Sequence, residues 1–227
     1  MKLFAISDLH LPFGADKPMD IFAGWNNYTE RLKENWQKIV SEEDTVIIPG
    51  DFSWALKLED TLPDFKYLNS LNGNKILLKG NHDFWWGTAN KINTFLSDNK
   101  FENIKILHNN AYKAGDFAIC GTRGWVYDGK SDFDEKVISR ECGRLETSIK
   151  SALGLGGEIK CFLHYPFVYG DFVCQEILNV LKKYDIKDVY FGHIHGRAKG
   201  NIITQYDSIK LHCLSCDIVD FVPQLII

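Results

Sequence analysis

Five short polar signatures, each set directly behind an apolar run, constrain this chain more than any other feature. They are Asp8-Leu9-His10, Gly50-Asp51, Gly80-Asn81-His82-Asp83, His164 and Gly192-His193-Ile194-His195. The runs before them are Lys2–Ile6, Thr45–Ile48, Lys75–Leu78, Ile159–Leu163 and Asp188–Phe191. Each run is short and rich in β-branched or aromatic residues, the pattern of a buried strand. Carboxylate, imidazole and amide oxygen therefore gather where strands stop, the edge at which open α/β sheets bind ligands. Oxygen and imidazole donors together suit divalent ions such as manganese, iron or zinc.

The spacing between the signatures predicts alternation. A strand over 2–7 leads through a long loop to a helix near 27–40, whose stripe is Tyr28, Leu32, Trp36, Ile39 and Val40. A strand at 45–49, a helical stretch within 55–71 broken at Pro63, a strand at 75–79 and a helix near 88–98 follow. Such alternation implies parallel pairing with helices outside the sheet. Residues 103–121 read as short strands cut by Asn109-Asn110 and Gly115-Asp116. Ser131 with Asp134 resembles a capping box for a helix near 132–152. A strand at 159–163, a helix at 172–184, a strand at 188–191 and short antiparallel strands from about 200 complete the reading.

Bulk properties narrow the function. With 227 residues and no linker or repeat, one domain over 1–227 is expected. A chain of this size buries roughly 70–75% of its unfolded surface and needs no disulfide. Net charge is −4 with no basic run, so a nucleic-acid partner is not expected. Leu3–Ile6 stops at Asp8, far short of a signal-peptide core, and no stretch approaches the ~20 apolar residues of a membrane span. The six cysteines read as reduced thiols, and the expectation is a cytoplasmic protein with no membrane partner. Cys213-Leu214-Ser215-Cys216 has CxxC spacing but no second pair for a zinc site.

Two divalent ions ~3.5–4 Å apart repel and need an anion between them. One bridging carboxylate, one further carboxylate, neutral imidazoles and an amide oxygen make a cage of net charge about −2. Two such ions then leave about +2, enough to hold phosphate and hydroxide.

Taken in order, Asp-x-His, Gly-Asp, Gly-Asn-His-Asp, a lone His and Gly-His-x-His resemble the calcineurin-like metallophosphoesterase superfamily, from Lys2 to about Arg197. The resemblance implies a four-layer α-β-β-α sandwich with two mixed sheets and two bound divalent ions. Asp8, His10 and His195 would hold the first ion, Asp51 would bridge, and Asn81, His164 and His193 would complete the second. His82 would steady the transition state and protonate the leaving oxygen, with Asp83 accepting a hydrogen bond from it. A metal-activated water would then hydrolyse a phosphoester. In one departure, Trp54 stands where many relatives carry an Asp three residues after the Gly-Asp aspartate.

Taken singly, the motif residues say less: Asp8 or Asp51 could cap a helix, and His10 or His164 could be structural. His108 and His212 stand outside the set and read as structural. Arg123 and Arg197 could fork onto phosphate. Trp54, Phe84-Trp85-Trp86 and Trp125 could stack a nucleobase, although core packing is the commoner fate of such rings. The expected partner is a small phosphorylated substrate, nucleotides among the candidates. The fold also serves non-catalytic interaction modules, as in a retromer subunit, which tend to lose the Gly-Asn-His-Asp histidine; here His82 is present. It serves DNA-repair nucleases too, which the modest length and absent basic stripe disfavour. Ester class, metal identity and oligomeric state are open.

Overall fold

Period-two alternation in the strands decides the layering. The computed structural model describes residues 1–125, 132–196 and 202–227. In chain order the first half comprises β1 (Leu3–Ala5), α1 (Tyr28–Ile39), β2 (Thr45–Pro49), a 3-10 turn (Glu59–Thr61), α2 (Leu62–Asn69), β3 (Asn74–Leu78) and α3 (Ala89–Asp98). Then come β4 (Ile104–Leu107), β5 (Tyr112–Ala114), β6 (Phe117–Thr122), α4 (Asp132–Leu155) and β7 (Glu158–Leu163). The rest is β8 (Val168–Tyr169), β9 (Phe172–Val173), α5 (Gln175–Lys183), β10 (Asp188–Phe191), β11 (Gln205–Tyr206), β12 (Ile209–Cys213) and β13 (Gln224–Leu225).

Two mixed sheets form, ordered β13-β1-β2-β3-β4 and β11-β12-β10-β7-β6-β5. β1 to β4 run parallel and β13 closes their edge antiparallel. Odd and even residues of each strand divide between two cores. Ile47, Ile76, Leu78, Ile119, Phe162 and Tyr190 meet between the sheets. Val46, Ile48 and Leu77 face the opposite way, into a core with Leu32, Trp36, Phe65 and Ile92 from α1 to α3. Cys161, Leu163, Val189 and Phe191 do the same against α4 and α5. The outcome is the expected α-β-β-α sandwich.

Three local readings change. Pro63 stands in the first turn of α2 rather than breaking a helix, because proline fits where no N–H donor is needed. The residues at 172–174 belong to a β8–β9 hairpin and its exit, and α5 starts only at Gln175. In the tail, β12 lies parallel to β10, and only its pairing with β11 is antiparallel. Of the expected capping pair, Ser131 lies outside the described residues, and Asp134 falls in the first turn of α4. All six cysteines are free thiols.

Candidate metal centre

After β1, β2 and β10 the chain turns through backbone conformations that side chains rarely adopt. Asp8 (φ 60°), His10 (φ 46°), Asp51 (φ 52°) and His193 (φ 69°) are all left-handed. Such residues cost about 1–3 kcal/mol each and persist only where their surroundings hold them. Here the Asp8 N–H donates to Gly50 O (3.0 Å) and the His10 N–H to Asp51 O (2.9 Å). The His193 N–H donates to both Asp8 carboxylate oxygens, each at 3.0 Å. Two motif glycines permit this crowding: a Cβ at Gly80 would overlap the Asp51 carboxylate, and one at Gly192 would overlap Ser7 and Asp8.

The turns bring all seven expected donors together at the seam of the two sheets. His10 Nε2 lies 3.3 Å from His195 Nε2 and 3.7 Å from Asp51 Oδ2, and His195 Nε2 lies 3.5 Å from Asp8 Oδ1. On the other side, Asn81 Oδ1 lies 2.6 Å from His164 Nε2 and 2.9 Å from His193 Nδ1, and His164 Nε2 lies 3.5 Å from Asp51 Oδ1. Donors each ~2.1 Å from a shared ion stand roughly 3–3.5 Å apart, so most of these separations are of ligand size. The two Asp51 oxygens thus face different donor sets. Asp8, His10 and His195 form one group able to hold an ion, and Asp8, Asp51 and His164 another.

Neighbours aim the rings. His164 Nδ1 faces the Pro49 carbonyl at 3.1 Å, so a proton there leaves Nε2 free to ligate. His195 Nδ1 faces Asp217 Oδ1 at 2.9 Å, and Asp217 Oδ2 accepts the Gly196 N–H at 2.7 Å. A carboxylate behind a histidine is the usual support of a metal-ligating imidazole. Asp217 belongs to none of the signatures. Neither does Ser215, whose hydroxyl donates to Asp8 Oδ2 at 3.0 Å, nor Cys216, whose thiol meets Asp8 O at 2.9 Å. The CxxC segment, buried except at Cys213, therefore braces Asp8.

Asp83 does not partner His82, contrary to expectation. Its fully buried carboxylate accepts the N–H groups of Asp51 (3.0 Å), Phe52 (2.9 Å), Ser53 (3.3 Å) and Gly80 (2.7 Å), and the Trp85 indole N–H (3.1 Å). Those donors converge because the loops after β2 and β3 sit side by side. His82 Nδ1 is buried with no hydrogen-bond partner, and the His82 N–H donates to Asp51 Oδ1 at 2.8 Å. The His82 ring packs 4.5 Å from Trp54 and 5.6 Å from His10. Trp54 stacks on His10 at 4.5 Å, so the departure from the family pattern becomes a wall of the site. Trp85 and Trp86 are core residues, while Phe84 is exposed. Arg123 lies over Trp125 and lines a cleft that contains none of the seven donors. Arg197 lies outside the described residues.

Burial sets most of the charge states. It holds His164 down at about 3 and keeps His10, His193 and His82 below the ordinary imidazole value, so all four are neutral at pH 7. Neutral imidazole is the form that ligates. Burial opposes charge on His195 as well, but hydrogen bonds to Asp217 and Asp8 outweigh it and lift the ring to about 10. Burial also opposes charge on Asp8, yet the His195 contact and nearby imidazoles hold its carboxyl below the usual range. Asp51 is pushed well above that range by burial and by repulsion from Asp8 and Asp83. Carboxylates crowded in a dry site call for cations.

A family model described as calcineurin-like phosphoesterase matches residues 1–197. No curated protein sequence matches the chain. Among solved structures, the chain is similar to a Thermus thermophilus protein at 13% identity and TM-score 0.58, covering 98% of this chain and 96% of that one. It is similar to an Aquifex aeolicus protein of unknown function at 17% identity and TM-score 0.54, covering 99% and 95%. It is similar to a phosphopantetheinyl hydrolase from Mycobacterium tuberculosis at 13% identity and TM-score 0.53, covering 100% and 95%. At these identities the three likenesses establish shared fold.

Proposed function

The chain belongs to the calcineurin-like phosphoesterase family, and on that premise we propose that it is a dinuclear-metal-dependent phosphohydrolase. The observation that carries the dinuclear reading is the pair of Asp51 oxygens, Oδ2 toward His10 and Oδ1 toward His164. Asp8, His10 and His195 would hold one ion, and Asn81, His164 and His193 the other, with Asp51 between. The donor set of carboxylate, imidazole and amide oxygen fits manganese, iron or zinc. When bound, such a pair supplies the positive charge that acidifies water and stabilises phosphoryl oxygens.

The chain's own residues do the rest. Asp217 keeps the His195 ring turned, and Pro49 O does so for His164, so no reorientation is needed as substrate enters. His82 lines the pocket, and, neutral while the site is empty, its ring would take up a proton from solvent once the negative charge of a phosphoester lies beside it, and then pass that proton to the leaving oxygen. A pocket of about 540 Å³ opens beside it, lined by His10, His82 and His195 together with Phe22, Trp25 and Trp54 among others. Aromatic walls next to the proton donor support a substrate with an apolar or aromatic leaving group, a nucleotide among those that fit.

The test pairs metal content with turnover. Protein reconstituted with manganese, iron or zinc is assayed on p-nitrophenyl phosphate and on its bis-ester, beside Asp51→Asn. Two ions per chain and hydrolysis in the wild type, with both lost in the variant, are expected. Fewer than two ions and no hydrolysis in the wild type, or an unaltered variant, would overturn the reading.

A further inference from the structure

A second cleft, of about 240 Å³, lies where β3, β4 and β6 end and α4 passes over them. Its charged lining is Lys79, His108, Arg123, Arg140, Glu141 and Arg144. In a chain of net charge −4, four full positive charges around one carboxylate is a marked local reversal. That carboxylate is already engaged. Glu141 is buried, with Oε2 accepting the Thr122 hydroxyl at 2.6 Å and Oε1 accepting Arg144 Nη1 at 2.6 Å. Among the described residues, Lys79, Arg123 and Arg140 have no carboxylate within ion-pair distance. Arg123 Nε is buried and makes no hydrogen bond.

Unpaired cations crowded around a concave site are costly unless an anion occupies it. Guanidinium forks pair with phosphate and carboxylate oxygens alike, and cations set around the cleft at four positions suit phosphate, whose tetrahedral oxygens point toward several of them at once. We infer that this cleft binds a phosphate group, at a place separate from the seven metal donors. It adjoins the metal centre through the backbone: Lys79 stands two residues before Asn81, and Arg123 O accepts the N–H groups of His164 (3.2 Å) and Tyr165 (2.9 Å). The phosphate comes from one of two sources, the far end of a doubly phosphorylated substrate or free phosphate in solution.

Binding is measured first without catalysis, so that the outcome does not depend on the phosphohydrolase reading. The full chain, held in EDTA, is dialysed to equilibrium against radiolabelled inorganic phosphate. One saturable site per chain is expected, weakened by rising salt. Arg140→Gln, on an exposed helix position, should weaken it about tenfold, and Arg144→Gln at least as much, with unchanged circular dichroism. No saturable binding, or equal binding in wild type and both variants, would overturn the inference. With metal-loaded protein, a KM that rises about tenfold in Arg140→Gln for a bisphosphorylated substrate, but not for p-nitrophenyl phosphate, assigns the cleft to the substrate. Unchanged KM for both, with free phosphate altering kcat in wild type only, assigns it to free phosphate.

Discussion

Replacing Asp83 by Asn separates a residue that builds the site from one that reacts in it. Asp83 Oδ1 accepts from the Phe52 and Ser53 N–H groups and the Trp85 indole, while Oδ2 accepts from the Asp51 and Gly80 N–H groups. An asparagine keeps the shape and one acceptor oxygen. With that oxygen toward the three donors, its NH₂ confronts the two remaining N–H groups. Each stranded buried donor costs about 1–3 kcal/mol, so the gross loss is about 2–6 kcal/mol. Part is regained, because burial lifts the Asp83 carboxyl to about 6 in spite of five donors, and the neutral amide escapes that penalty. A net loss of about 2–4 kcal/mol is expected, large beside the ~5–15 kcal/mol stability of a typical domain. With a urea slope of about 3 kcal/mol/M, the unfolding midpoint should fall by roughly 1 M. If Asp83 instead served to orient His82, the midpoint would hold and only turnover would suffer. A midpoint shift below about 0.3 M, equivalent to about 1 kcal/mol, together with a large drop in kcat, would refute the reasoning.

Three further expectations follow from the same contacts. Asp217→Asn leaves an NH₂ facing either the His195 ring or the Gly196 N–H, and should weaken metal binding about 10–100-fold in a metal titration; an unaltered affinity would mean that His195 is not a ligand. His82→Ala should keep its metal but lose about 10²–10⁴ in kcat, more on poor leaving groups than on good ones; equal losses on both would argue against proton donation. Asp64 is buried and burial lifts its carboxyl to about 6, so between 3.8 and about 6 the folded state holds a proton the unfolded state has lost. Wild-type stability relative to Asp64→Asn should therefore fall by about 1.4 kcal/mol per pH unit as pH rises through that window, and a flat difference in urea melts would reject this.

The strands and the gathering of the seven side chains at their ends were legible because both signals are local. An apolar run followed at once by Asp, His or Asn states where a strand ends and what stands there. Asp217, Ser215 and Cys216 were hidden because their roles depend on β12 lying parallel beside β10, whereas the tail's short runs suggested antiparallel strands. Asp83 was visible in its motif but misassigned, since the convergence of four backbone N–H groups on it comes from loop packing that no spacing displays. The basic cleft left no trace as a charge run because its cations stand at 79, 123, 140 and 144 and meet only when three strand ends and α4 come together.

The division of donors between the sheets has a thermodynamic consequence. Asp8, His10, Asp51 and Asn81 follow strands of the five-stranded sheet, while His164, His193 and His195 follow strands of the six-stranded one. Each proposed ion would draw from both: His195 joins Asp8 and His10, and His164 with His193 joins Asn81. Neither sheet alone assembles either set. The sheets are stitched beside the site by the Ser7 N–H to Leu214 O (2.8 Å) and the Cys216 N–H to Ser7 O (2.9 Å), and the left-handed turns at Asp8, His10, Asp51 and His193 sit at that seam. Ions that bind only the packed sandwich would add RT ln(1 + [M]/Kd) to its stability, about 2.7 kcal/mol per ion at a hundredfold excess over Kd. That increment is comparable to the strain of one or two left-handed residues, so the ions would offset locally what the backbone geometry costs. In this arrangement the geometry of the proposed metal centre and the packing of the sheets are one structural problem, since whatever loosens the seam displaces side chains of both sets at once.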